Sequence, residues 1–234
     1  MRVMSYRSVF RPGLFAGQTV VVTGAGSGIG RCTAHELASL GAHVVLVGRT
    51  AARLEAVAAE IAEDGGAASH HSCDIRDEPA VQAMVAGTLA ARGRIHGLVN
   101  NAGGQFPATL AGISGKGWQA VIANNLTGGF LVARECYNQC MRAHGGAIVN
   151  MLADMWNGMP GMGHSGAARA GMLNLTETAA CEWAPVRVNA VAPGWVASSG
   201  MDTYPEAMKP LIKGLARHVP AGRMGTESEV SAAI

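Results

Sequence analysis

Several features that would assign this chain at once are missing from it. No run of five basic residues occurs among its 234 residues and the formal net charge is only +2, so the electrostatic footprint of a nucleic-acid or membrane-surface binder is absent. No segment approaches the roughly 20 apolar residues of a membrane span. The five cysteines (Cys32, Cys73, Cys136, Cys140, Cys181) contain no CxxC pair, and their odd number argues for reduced thiols over a disulfide framework. Cys136 and Cys140 stand one helical turn apart, a spacing read as core packing rather than metal ligation, and no metal site is assigned. Arg2, Arg7 and Arg11 are followed by no apolar stretch, so residues 1–16 read as an N-terminal arm and not a signal peptide. These exclusions leave the expectation of a soluble, cytoplasmic protein that works on small molecules. With four Phe and three Tyr the chain is also poor in those aromatics.

What it has is apolar material, 49% of its residues, and glycine, 32 of 234, without any collagen-like period. Short β-branched runs alternate with helical spacings. Strands are expected at Thr19–Thr23, His43–Val47, Ala67–Ser72, Ile95–Val99, Ala147–Met151 and Val186–Val191. Helices are expected at Ile29–Leu40, through Leu54, Val57, Ala58 and Ile61, and at Pro79–Arg92, Trp118–His144 and Ser165–Trp183. Such alternation calls for a parallel sheet covered on both faces: one doubly wound α/β (Rossmann) domain over residues 17–234, with no linker or repeat to divide it.

Between the first strand and first helix runs Thr23-Gly24-Ala25-Gly26-Ser27-Gly28-Ile29-Gly30. Glycines there permit a tight turn and let backbone N–H groups meet a pyrophosphate at the helix N-terminus, the pattern of a dinucleotide site. At the end of the second strand, where an NAD-selective site offers an acid to the ribose, the chain has Gly48-Arg49. Arg49 suits a 2′-phosphate, so NADP(H) is expected; an ordinary solvated strand-end arginine is the plainer alternative.

From these residues the chain resembles the short-chain dehydrogenase/reductase superfamily, from about Gly17 to its end. Thr23, Gly24, Gly28 and Gly30 meet the spaced glycine pattern, and Asp74, followed by Ile75, matches the adenine-contacting acid. Asn100-Asn101-Ala102-Gly103 matches the NNAG motif, Asn125 the Asn that shapes the active site, and Pro193-Gly194 the turn beside the nicotinamide. The resemblance therefore implies cofactor contacts at Thr23, Gly24, Gly26, Ser27, Gly28, Ile29, Gly30, Arg49, Asp74, Ile75, Asn101, Ala102, Gly103, Arg169, Pro193 and Gly194.

The catalytic positions depart from the family pattern. Ordinary members reduce a carbonyl with Tyr-x-x-x-Lys and an upstream Ser; here Ser165 takes the Tyr position, Arg169 the Lys position and Leu152 the Ser position. A serine hydroxyl is a far weaker acid than a phenol and arginine stays protonated, so the usual proton relay is absent. One reading is a decayed site that only binds NADP. Another is reduction of a thioester-conjugated alkene, in which hydride goes to the β-carbon and charge develops on the thioester oxygen, so donors replace the phenol. A third is a carbonyl or alcohol dehydrogenase with a rearranged site. The segments Gly103–Phe106, Asn125–Gly128 and His164–Gly171 resemble peroxisomal trans-2-enoyl-CoA reductases and the related dienoyl-CoA reductases, which implies an acyl-CoA substrate.

By that resemblance Asn125, Ser165 and Arg169 are the catalytic candidates, Ser165 as donor to the thioester oxygen and Arg169 as a positioner of the cofactor. His164 is a candidate proton source because imidazole titrates near neutrality, or else a structural residue bonded to backbone. Asp154, eleven residues before Ser165, is open to a chemical role or to none. Met151, Met155, Met159 and Met162, with Met201, Tyr204, Met208, Leu211, Ile212 and Leu215 in a lid near residues 195–218, would line an acyl channel or simply pack. Lys213 and Arg217 would meet CoA phosphates or form a solvated helix face. The chain stops at Ile234 in a helix opened by Thr226 and Glu229, before the final strand that the superfamily uses; the expectation is a truncated C-terminus, with a homotetramer implied by the family.

Overall fold

The computed structural model describes residues 10–199, 201, 206, 212 and 214–234. Strand β1 (Thr19–Thr23) is buried along its full length. Its alternating side chains serve two separate cores, Val20 and Val22 on one face and Val21 on the other. The neighbouring β2 (His43–Gly48) repeats this, with Val44 and Leu46 joining the first core and Val45 and Val47 the second. A run of valines with no polar alternation has only one low-energy place, the middle of a sheet covered on both sides. Each such side chain contributes about 1.5–3 kcal/mol by leaving water.

With β3 (Ala67–Ser72), β4 (Gly97–Asn100), β5 (Ala147–Met151) and β6 (Arg187–Val191), the described residues form a six-stranded parallel sheet in the order β3-β2-β1-β4-β5-β6. Helices α1 (Gly28–Ser39) and α2 (Ala51–Glu63) cover one face through Ala34, Leu37, Ala38, Leu54, Val57 and Ile61. The opposite face takes α3 (Glu78–Arg92), the long helical segment that begins with α4 (Gly115–Ile122), and α7 (Gly163–Glu182). This is the doubly wound Rossmann architecture expected from the alternation.

Several boundaries shift by one to three residues from the sequence reading, and three differences have a clear physical reason. The helix expected from Trp118 starts at Gly115, because the Ser114 hydroxyl accepts from the Gly117 N–H at 3.1 Å and caps it there. It is also not one regular helix: π-helical turns at Ala123–Thr127 and Tyr137–Met141 flank α5 (Gly128–Cys136), ahead of a last short turn, α6 (Arg142–His144). Apolar spacing does not register one wider turn. The strand expected from Ile95 begins at Gly97, since the Ile95 N–H donates to Cys140 Sγ at 3.4 Å rather than to a strand. Cys136 and Cys140 are both buried in this core, and burial pushes the Cys136 thiol up to about 12. At the start of the described chain, the Phe15 N–H donates to the Leu40 carbonyl at 2.9 Å and its side chain packs on the α1/α2 core.

A short α8 (Glu227–Ser231) closes the described chain against α1. Of the residues named above, Arg2 and Arg7 of the arm, Tyr204, Met208 and Leu211 of the lid, and Lys213 lie outside the described residues. Among the described residues no helix is long and apolar enough to cross a membrane.

Candidate active site

Strand order reverses between β1 and β4, which leaves a crevice beyond their C-terminal ends. Thr23, the last residue of β1, ties the two ends together: its hydroxyl accepts from the Asn101 and Ala102 N–H groups at 3.1 and 3.0 Å and donates to the Val99 carbonyl at 3.4 Å. The Asn101 amide reaches back to the Thr23 carbonyl at 3.0 Å. The NNAG turn is thereby locked to the glycine turn. Gly24, with φ of +67°, lies so close to Ala102 and Asn101 that a Cβ would stand 2.9 Å from each, and a Cβ on Gly30 would overlap Asn101 and the Gly24 carbonyl.

Around this turn the residues fit a dinucleotide. The α1 N-cap, Ser27, is exposed and makes no side-chain cap bond, and no acid sits in the first helical turn. Within α1, therefore, no side chain caps the N–H groups at that end, which have the helix dipole behind them; the acid beside them, Glu227, comes from another element. Gly194 has open space around it, whereas at Gly28 (φ +59°) a Cβ would stand 3.5 Å from the Ser199 hydroxyl and 3.6 Å from Glu227 Oε1. At the edge of the turn Glu227 Oε1 accepts from the Ser199 N–H at 3.1 Å, holding the segment after Pro193-Gly194 beside α1. On the adenosine side Arg49 is exposed at the end of β2. Asp74 is held near pH 2 by the fork of hydrogen bonds from Arg76, with Arg49 adding to the effect. Ile75, next to it, is buried against Gly128. Arg76 escaped the sequence reading, although an arginine two residues after an acid at a strand end is the signal that would have found it.

The chemical end lies where the first π-helical turn meets α7. That turn carries Asn125, 1% exposed, whose side-chain amide is paired with the Gly104 backbone in both directions, at 2.8 and 2.9 Å. Ser165, also 1% exposed, sits in the first turn of α7, and its hydroxyl makes no hydrogen bond among the described residues. One turn further, Arg169 is 7% exposed; it donates to the Met151 carbonyl at 2.6 Å and to Asn125 Oδ1 at 3.4 Å. Neither acceptor is charged, and burial alone pushes the guanidinium down to about 10, so it remains a cation at neutral pH. Gly103 touches both side chains: a Cβ there would stand 2.5 Å from the Arg169 Nη2 and 2.6 Å from Asn125 Oδ1. Beneath them Asn100, Asn150 and Thr176 form a buried chain of hydrogen bonds at 3.0 and 2.9 Å that joins β4, β5 and α7.

Asn125, Ser165, Arg169, His164 and Gly103 are therefore brought into one region. Leu152 is buried beside the site, whereas Asp154 is exposed, with its N–H bonded to the Pro193 carbonyl at 3.1 Å. Arg217 is exposed on a short 3-10 turn, Leu215–His218. The rim is apolar: Met155 and Met162 are half-buried, Met159 packs on Gly166, Leu110 on Gly163, and Phe106, Trp156 and Trp195 are exposed. The two tryptophans were missed because an isolated aromatic in a loop carries no periodicity.

Residues 18–209 match the family described as short chain dehydrogenase. A Bacillus subtilis protein named as a probable 2,4-dienoyl-CoA reductase is 35% identical over 221 residues, covering 92% of this chain and 87% of its own. Among solved structures, the citronellol catabolism dehydrogenase AtuB of Pseudomonas aeruginosa PAO1 is 65% identical, with a TM-score of 0.86 over 97% of this chain and 90% of its own. A Beutenbergia cavernae protein described as an NAD(P)-dependent gluconate 5-dehydrogenase, with NADP bound at low occupancy, is 36% identical, with a TM-score of 0.87 over 95% of this chain and 90% of its own.

Proposed function

The chain belongs to the short chain dehydrogenase family of oxidoreductases, and within it we propose an NADPH-dependent reductase of the carbon–carbon double bond of a trans-2-enoyl-CoA. The observation that carries this reading is Arg169: a buried cation, hydrogen-bonded among the described residues only to neutral groups, where a carbonyl reductase needs a lysine beside a phenol. Such a site has poor means to deliver a proton and good means to stabilise an oxyanion. The dienoyl-CoA reductase relative and the apolar rim of Met155, Met159, Met162 and Trp156 support an acyl thioester as substrate.

A bound NADPH supplies the hydride. The N–H groups of Gly28, Ile29 and Gly30, uncapped by Ser27, would hold its pyrophosphate, Arg49 its 2′-phosphate and Asp74 its adenine. Asn125 fixes the Gly103–Gly104 backbone that walls the crevice. Ser165 directs its unpartnered hydroxyl to the thioester oxygen, and Arg169 supports the negative charge that grows there while positioning the nicotinamide ribose. The α-carbon takes its proton from water or a weak acid. The same family resemblance supports a homo-oligomer.

Purified protein is expected to oxidise NADPH when a trans-2-enoyl-CoA is added, releasing the saturated acyl-CoA. No turnover over a range of chain lengths contradicts the proposal, and tight NADPH binding without any turnover identifies a binding protein. A second reading is favoured by the name of AtuB, a dehydrogenase of citronellol catabolism: oxidation of a branched, apolar alcohol by a rearranged site. Citronellol with NADP+ belongs in the same assay panel, and alcohol oxidation that survives Ser165→Ala supports this second reading.

A further inference from the structure

His164 is completely buried, yet its Nε2 has no hydrogen-bond partner among the described residues. The other ring nitrogen fixes where the proton lies. Nδ1 receives the Ser165 backbone N–H at 2.9 Å, a donor shared with the Met162 carbonyl at 2.9 Å. A backbone amide can only donate, so Nδ1 presents its lone pair and the single proton of the neutral ring sits on Nε2. An imidazolium would set a second proton on Nδ1 against that amide. The result is a buried N–H donor without an acceptor, uncommon in native interiors and costly unless something arrives to fill it.

Two neighbours indicate what arrives. The ring stands edge to face with Phe106, centroids 4.6 Å apart at 87°, and Phe106 is 40% exposed. Phe106 lies in the loop after β4, three residues beyond Gly103, which is wedged against Arg169 and Asn125, so one loop touches both the Arg169–Asn125 pair and His164. Helix α7 begins here with Met162 as its N-cap, no side-chain cap bond and no acid in its first turn, so its positive end is uncompensated. An oxygen that gains negative charge is the group this corner lacks.

We infer that His164 is a further catalytic residue: its Nε2–H, kept on a neutral ring, donates a hydrogen bond to the substrate's carbonyl oxygen, which enters past Phe106. The inference rests on the enoyl-thioester reading above. In that reaction hydride from the dinucleotide bonds to the β-carbon, the π electrons of the alkene shift to the carbonyl oxygen, the dinucleotide is oxidised, and the α-carbon then takes a proton from solvent. His164 gives up no proton. Its hydrogen bond strengthens as the oxygen becomes anionic, so it acts on the transition state more than on the ground state.

The test uses the full chain with cofactor. His164→Phe keeps a ring but removes the donor, and His164→Gln keeps a terminal N–H. With trans-2-enoyl-CoA, His164→Phe is expected to lower kcat by about 10²–10³-fold, as for loss of one oxyanion donor, with NADPH affinity unchanged, while His164→Gln loses about tenfold or less by the same principle. Independently of turnover, the ¹⁵N-labelled imidazole of the NADP+ complex should show protonated Nε2 and bare Nδ1 at neutral pH. Its Nε2–H proton should move downfield when a saturated acyl-CoA is added. A wild-type kcat in His164→Phe, a proton on Nδ1, or an Nε2–H signal that ignores acyl-CoA while the wild-type enzyme turns over overturns this inference alone. Wild-type protein that reduces no enoyl-CoA overturns the underlying reading, and this inference falls with it.

Discussion

A guanidinium buried without a carboxylate partner is expensive to hold; among the described residues Arg169 donates to two neutral oxygens, and burial pushes it down to about 10. The direction gives a pH prediction. The group stays charged below about pH 10 and loses its charge only as pH rises through that value, so the wild-type rate should show no falling limb from Arg169 between neutrality and mild alkali. In Arg169→Lys the same desolvation acts on an ammonium whose ordinary value, about 10.4, is already lower, so the falling limb should move down toward neutral pH. A kcat–pH profile that is the same for both proteins contradicts an electrostatic role for the charge. Ser165→Ala should cut kcat on an enoyl thioester by about 10- to 100-fold with NADPH affinity unchanged, the loss of one hydroxyl donor; single-turnover rates decide it.

Secondary-structure elements place these side chains, and their legibility was uneven. Strands β1 and β2 could be read because valine runs buried on both faces have no competing interpretation, and the glycine turn because its glycines sit between such a strand and an amphipathic helix. The π-helical turn that carries Asn125 was invisible, since one wider turn leaves the apolar spacing around it intact. The contact of Phe106 with His164 depends on how a loop after β4 folds over the start of α7, and no local pattern encodes it. Helix α8 was legible at its start: Thr226 and Glu229 form a reciprocal capping box, with the Glu229 N–H donating to Thr226 Oγ1 at 3.2 Å and the Thr226 N–H to Glu229 Oε2 at 2.9 Å. Thr226→Ala should cost about 1 kcal/mol in urea unfolding. Arg223 and this cap hold the Glu229 carboxyl down to about 2 from an ordinary 4.5. That contribution is complete above about pH 4.5 and disappears as pH falls towards 2; because Arg223 and the Thr226 backbone N–H supply most of it and both remain in Thr226→Ala, the variant and wild type should lose stability in parallel across that window.

At the scale of the whole molecule, the sheet's reversal of strand order gathers the ends of β1, β4 and β5 and the first turns of α1 and α7 around one crevice. Cofactor binding should therefore report on the entire domain. NADPH at about 100 times its Kd should stabilise the fold by about 2.7 kcal/mol, and NADH at the same concentration by less. Arg49→Asp should weaken NADPH by about 10- to 100-fold, the loss of a charge-assisted contact to the 2′-phosphate, and leave NADH little changed; equal losses for both nucleotides contradict the assignment of Arg49. The central claim is that this crevice, with a serine and a buried arginine in place of a phenol and an amine, reduces an alkene rather than a carbonyl. The most direct measurement is a single turnover of a trans-2-enoyl-CoA with NADPH deuterated at the transferable position, followed by mass and NMR analysis of the product. The account predicts one deuterium on the β-carbon of a saturated acyl-CoA; unlabelled starting material, or deuterium found instead on a carbinol carbon when a ketone or aldehyde is supplied alongside, would contradict it.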